Sequence, residues 1–169
     1  EAKNAENLFI LGDLFEYWAG DDDIDNPHHQ SVIQALKDLS DQGTKTFFIH
    51  GNRDFLISTK FSIDAGIMLL ADPTIIELYG TKVLLSHGDD LCTDDVDYQA
   101  FRNQVRNSEW QSQFLSQPLA KRKAQIEALR MRSEDEKSGK PLMIMDINQN
   151  TVTACICGVN YLCAGGPKL

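Results

Sequence analysis

Three short apolar runs in this chain each empty into a glycine beside residues that can bind a metal. Asn7-Leu-Phe-Ile-Leu11 leads into Gly12-Asp13, Thr46-Phe-Phe-Ile49 runs through His50 into Gly51-Asn52-Arg53-Asp54, and Lys82-Val-Leu-Leu-Ser86 ends in His87-Gly88-Asp89. Short apolar runs bounded in this way read as buried strands. Polar loops at the C-terminal ends of strands are where open α/β sheets build their sites, because rigid strands can aim side chains from distant parts of the chain at one point. The pattern therefore constrains the chain to an α/β architecture with a candidate site at its strand ends.

The intervening segments agree. Val32, Ile33, Leu36 and Leu39 recur at helical spacing behind a capping Ser31, with Gly43 as the stop signal, which places strand, helix and strand in succession. His28-His29 is expected in the loop before that helix, and His50 at the end of a buried strand. Thr74–Tyr79 and Lys82–Ser86 read as a hairpin around Gly80-Thr81. From Asp95 to Arg132 the apolar positions Phe101, Val105, Trp110, Phe114, Leu115, Leu119, Ile126 and Leu129 predict two helices broken at Pro118. A polar loop is expected over 133–139, then a helix near Asn148-Gln149-Asn150, and the tail 153–169 shows no clear period.

Composition narrows the function. The 169 residues carry 16 Lys+Arg against 25 Asp+Glu, a net charge of −9, and are 42% hydrophobic, the profile of one globular domain. No apolar run approaches the roughly 18 residues that a membrane span needs. So acidic a surface disfavours a nucleic-acid partner, and an anionic substrate would need metal ions or a local basic cluster. One such cluster is Lys121, Arg122, Lys123, Arg130 and Arg132, readable either as a solvated helix face or as part of a binding surface. Cys92, Cys155, Cys157 and Cys163 are too few and too unevenly placed for a disulfide framework, which suggests a reducing compartment.

A carboxylate, a neutral amide and an imidazole at one point suit Mn²⁺, Fe²⁺ or Zn²⁺ better than Mg²⁺ or Ca²⁺, which prefer oxygen shells. Each piece alone has a plainer reading: Gly-Asp as a turn, Asn-Arg-Asp as a cap, His87 as a satisfied polar residue. In this order the blocks resemble the calcineurin-like metallophosphoesterases, whose pattern runs D-x-H, G-D, G-N-H-D or G-N-R-D, H, then G-H-x-H. Leu11–Glu16, Gly20–Asp23, Phe48–Leu56, His87–Asp89 with Leu91–Asp95, and Ile144–Asn150 are similar to the branch that cleaves UDP-2,3-diacylglucosamine, a lipid A pathway pyrophosphatase of Gram-negative bacteria.

That resemblance implies a four-layer αββα sandwich (α/β, or α+β) with a helical lid, spanning about 1–152 with the lid at about 95–140. It also implies a two-metal site, usually Mn²⁺, that directs an activated water at the pyrophosphate to give UMP and 2,3-diacylglucosamine 1-phosphate. By the same resemblance Asp13 bridges both metals, and Asn52 and His87 bind the second. Asn52, Arg53, Asp95, Ser133, Lys137 and Lys140 fall at substrate-contact positions. The lid is expected to help the enzyme sit on the cytoplasmic face of the inner membrane as a peripheral protein. Neither D-x-H nor G-H-x-H occurs in this sequence, and the tail 153–169 departs from the family pattern. The first metal then retains only Asp13, and a truncated or frameshifted gene, or a partial sequence, is the expectation. Another phosphoesterase activity, or a remnant that only binds nucleotide or lipid, stays open beside it.

Overall fold

The computed structural model describes residues 5–23, 25–139 and 146–165, without the side chains of 134–139. Its first half is built on three parallel strands, β1 (Asn7–Leu11), β2 (Lys45–Ile49) and β3 (Ile67–Leu70), in that order. Two helices make the crossovers, α1 (Pro27–Asp41) and α2 (Thr59–Ala65). Parallel pairing in the register Leu11 to Ile49 brings Gly12-Asp13 and His50-Gly51-Asn52 out at the same edge. The strand-end reading of the sequence is thus borne out.

The second sheet holds a hairpin, β4 (Thr74–Leu78) and β5 (Thr81–Ser86), with β6 (Tyr161–Ala164) added parallel to β5. Tyr79 and Gly80, both at positive φ, form the turn, the geometry that suits two twisted strands joined by two residues. Sequence periodicity shows nothing for β6, because four residues with alternating exposure give too short a signal in a tail of small residues.

Two apolar clusters sit on opposite faces of the first sheet. Phe48, Ile10 and Leu69 pack with Ile33 and Leu36 of α1, Phe61 and Ala65 of α2, and the ring pair Phe15 and Trp18. Ile49, Phe9, Leu11 and Leu70 meet Val83, Leu85, Ile76 and Leu78 of the second sheet. The chain is mixed α/β with two small sheets, as the alternation of strand and helix predicts.

Several boundaries differ from the sequence reading. Helix α1 starts at Pro27 behind Asn26, whose side chain accepts the His28 N–H, so Ser31 lies inside the helix and is not its cap. His28 and His29 are consequently helical, and His29 is buried against Phe15 and Trp18. Proline at the first helical position with Asn before it is the stronger start signal. The stretch read as two helices is three, α3 (Val96–Val105), α4 (Ser108–Leu115) and α5 (Leu119–Gly139), because Asn107 caps α4 through the N–H groups of Glu109 and Trp110. The break at Pro118 is as expected. Helix α5 continues to Gly139, which replaces the predicted polar loop. Helix α6 (Gln149–Cys155) begins behind Asn148, as the sequence suggests.

The basic cluster is largely engaged. Arg122, 2% exposed, donates to the Ala19 carbonyl and pairs with Asp22, while its Nε donates to the Gln117 carbonyl at 3.0 Å. Lys123 Nζ lies 2.6 Å from Asp23, and Arg130 lies 3.6 Å from Glu16 and over the Tyr17 ring. Helix α5 is therefore fastened to the acidic loop 16–23, and a purely solvated face is excluded for these three residues. The fold predicts a contrast within α2. Phe61→Ala, at a fully buried ring, should cost about 3–5 kcal/mol in chemical denaturation, and Ile63→Ala, at 72% exposure, less than about 0.5 kcal/mol.

Candidate metal centre

Two loops are held against each other by one buried carboxylate. Asp54 accepts the N–H of Gly51 at 2.8 Å with one oxygen, and those of Leu14 at 2.6 Å and Phe15 at 3.4 Å with the other. This pins the loop after β2 onto the loop after β1. Gly12 and Gly51 make the approach possible: a Cβ on Gly12 would strike the Gly51 backbone and the His87 ring, and one on Gly51 would strike Asp13. Burial first, with the charge of Asp13 adding to it, holds the Asp54 carboxyl above the ordinary carboxylate range despite those N–H donors.

The third loop arrives from the other sheet. His87, 1% exposed, donates Nδ1–H to the Leu11 carbonyl at 2.8 Å, since a carbonyl can only accept. In the neutral ring this tautomer leaves the lone pair on Nε2. It faces the Asn52 backbone N–H at 3.4 Å and Asp13 Oδ1 at 3.8 Å. The Asn52 side-chain amide end lies 3.2 Å from His87 Nε2 and 3.1 Å from both Asp13 oxygens. With its oxygen turned inward, three lone-pair donors meet; with its nitrogen inward, the amide donates to both partners.

Without a cation the nitrogen-inward orientation satisfies both neighbours; with the oxygen inward, the carboxylate, amide oxygen and imidazole nitrogen, 3 to 4 Å from one another, would be a donor set suited to a divalent cation. The backbone hydrogen bond at Nδ1 is the second-shell arrangement that orients a ligating histidine. These residues fit a metal. Among the described residues no group of three or more His, Cys, Asp or Glu side chains could hold a metal ion, and this centre counts two of those types, Asp13 and His87, beside the Asn52 amide.

Arg53 reaches into the same space. Its N–H donates to Asp13 Oδ1 at 3.1 Å, its Nε lies 3.6 Å from Asp13 Oδ2, and its guanidinium pairs with Glu16. Asp13, Asn52, Arg53 and His87 are therefore brought together as the sequence indicates. The remaining substrate-contact candidates are placed otherwise. Asp95 caps α3 by accepting the Tyr98 N–H at 3.1 Å, Ser133 is exposed on α5, and the side chain of Lys137 and all of Lys140 lie outside the described residues.

Sequence reasoning passed over a buried cluster beneath the site. Asp89, fully buried, lies 3.0 Å from Arg102 and 3.4 Å from Arg106 and accepts the Tyr98 hydroxyl at 2.8 Å. Burial raises its pKa, but the Arg106 and Arg102 charges and the Tyr98 hydrogen bond outweigh this and hold the carboxyl below the ordinary range. The available signal was helical spacing, since Tyr98 and Arg102 lie on one face of α3 and Arg106 follows four residues on, at its C-cap. Nearby, burial and the charge of Asp89 push the Cys92 thiol up to about 11, so it packs as an inert apolar group.

An α/β fold with a strand-end donor set of this kind defines a protein with a candidate divalent-metal centre. Comparison with known proteins gives the particular relationship. Over 156 residues the chain is 49% identical to the UDP-2,3-diacylglucosamine hydrolases of Shigella dysenteriae serotype 1, Escherichia fergusonii and Escherichia coli O7:K1, which is 92% of this chain and 65% of each relative. It is a homologue of the proteins of that name, in keeping with the resemblance in its motifs, and it spans about 65% of their length. No protein-family model matches it.

Asp89 supplies a pH test with a defined sign. A carboxyl whose folded pKa lies below its unfolded value of about 3.8 contributes stability that is fully present above that value and lost as pH falls through the folded one. Asp89→Asn should therefore lower stability at neutral pH and flatten its decline below about pH 4, read from urea midpoints across pH 2–7.

Proposed function

We propose that this protein hydrolyses the pyrophosphate bond of UDP-2,3-diacylglucosamine, giving UMP and 2,3-diacylglucosamine 1-phosphate, with Mn²⁺ held by Asp13, Asn52 and His87. What carries the reading is the convergence of those three side chains in a chain 49% identical to hydrolases named for that substrate. When bound, the metal neutralises phosphate oxygens and lowers the pKa of water.

The chain's own residues account for the rest. The Nδ1–H bond to the Leu11 carbonyl orients the His87 ring so that Nε2 faces Asp13 and Asn52. Asp54 fixes the distance between the Asp13 and Asn52 loops. Arg53, shared between Asp13 and Glu16, presents a planar fork that exchanges a carboxylate partner for a phosphate one, a geometry lysine lacks. Asp95, Ser133, Lys137 and Lys140 complete the substrate contacts in this reading. In this reading the catalytic domain rests mainly on residues 1–152, with β6 adding a strand to its second sheet, and is a four-layer sandwich whose segment 95–140 is the lid.

Peripheral association with the cytoplasmic face of the inner membrane belongs to the same proposal. It is supported by exposed Phe101, Leu115, Leu129 and Met131 on α3 to α5, next to basic residues. No described helix is long and apolar enough to cross a membrane. A second reading is binding of metal and nucleotide without turnover, for which Asp13, Asn52, His87 and Arg53 alone would suffice.

The test is release of UMP from UDP-2,3-diacylglucosamine with added Mn²⁺. Metal-dependent release that His87→Ala abolishes is the expected result. Release indifferent to His87→Ala overturns the site, and Mn²⁺ and UMP binding without release selects the second reading.

A further inference from the structure

Helix α3 and its C-cap residue Arg106 send four side chains into the turn that follows His87. Tyr98 and the two arginines reach the Asp89 carboxylate, and Gln99 Nε2 donates to the Asp89 and Cys92 carbonyls at 2.8 and 3.1 Å. Arg102 also lies 3.7 Å from Asp72, whose other oxygen accepts the Ser86 hydroxyl at 2.7 Å and the His87 N–H at 3.2 Å. The turn carrying His87 is thus gripped on both sides from α3.

Arg106 does something further. Its Nη2, 3.4 Å from Asp89 Oδ2, also donates towards the carbonyls of Gly51 at 3.2 Å and His50 at 3.4 Å. The Gly51 carbonyl and the Asn52 N–H belong to one planar peptide unit and point in opposite directions. Holding that carbonyl on the α3 side turns the Asn52 N–H towards His87 Nε2 and sets where the Asn52 side chain starts. One guanidinium therefore links the loop bearing Asn52 and Arg53 to the turn bearing His87.

We propose that Arg106 is a positioning residue for the metal centre: through Asp89 and the Gly51 carbonyl it fixes Asn52 relative to His87 without touching metal or substrate. The proposal rests on the metal reading above. It makes α3 a buttress of the site as well as a part of the lid region.

The test compares Arg106→Ala and Arg106→Lys with the wild-type chain by two readouts. Amide hydrogen exchange, followed by NMR, should speed up about tenfold or more at Gly51, Asn52 and Arg53 in Arg106→Ala while the β4–β5 hairpin keeps its rate. Mn²⁺ affinity, from the electron paramagnetic resonance of the free ion, should fall about 10- to 100-fold, the usual effect of losing a second-shell partner. Arg106→Lys, which reaches a carbonyl without the fork, should fall between the two. Unchanged exchange at 51–53, or equal acceleration in the hairpin, overturns the proposal. If Arg106→Ala does not fold, Arg106→Lys carries the comparison on the same terms. A wild-type chain with no affinity for Mn²⁺ overturns the metal reading alone, and the exchange arm still decides the role of Arg106.

Discussion

The carboxylate of Asp54 is the constraint on which the arrangement depends. Two parallel strands end side by side, but nothing in their pairing brings the loops beyond them into contact. Asp54 does this by collecting N–H groups from both loops, Gly51 on its own and Leu14 and Phe15 on the other. Without it those donors would be left near an apolar interior, where each unmet hydrogen bond costs about 1–3 kcal/mol. The same contact presses Gly12 against Gly51, so the glycines are required by the carboxylate's geometry as well as by the turn. The Nδ1–H of His87 then ties the second sheet to Leu11, and three distant segments share one small volume.

Charge is organised around that volume in layers. Next to the metal-ligand candidates sit Arg53 and Glu16; below them the half-buried Arg102 of α3 and Arg106 at its C-cap hold the buried Asp89; Arg122, Lys123 and Arg130 of α5 meet Asp22, Asp23 and Glu16. A chain of net charge −9 thus uses much of its basic complement to fasten helices onto the loops of the site. Fully buried groups such as Asp89 matter most here, because exposed pairs of the kind Lys60 makes with Asp64 contribute little.

The part of this architecture written locally in the sequence was legible. Glycines after apolar runs gave β1, β2, β5 and the four residues Asp13, Asn52, Arg53 and His87, because a strand end is a short-range pattern. Helix starts were less so: Asn26-Pro27 outweighs Ser31, and Asn107 divides what hydrophobic spacing joins. Asp54, Asp89, Arg102 and Arg106 have meaning only through contacts across more than one element, so periodicity could not assign their roles. Strand β6 shows the same limit, since four residues acquire their conformation from pairing with β5. Asp95 was placed by resemblance at a substrate-contact position, and the structure uses it to cap α3.

The central claim is that Asp13, Asn52 and His87 form one cation site. Substoichiometric Mn²⁺, added to isotope-labelled protein and followed by paramagnetic broadening in NMR spectra, tests it residue by residue. The account predicts that signals of residues 12–13, 51–53 and 86–88 vanish first, before those of the acidic loop at Asp21–Asp23. Broadening that begins at the acidic loop, or spreads evenly over the acidic surface, would contradict it.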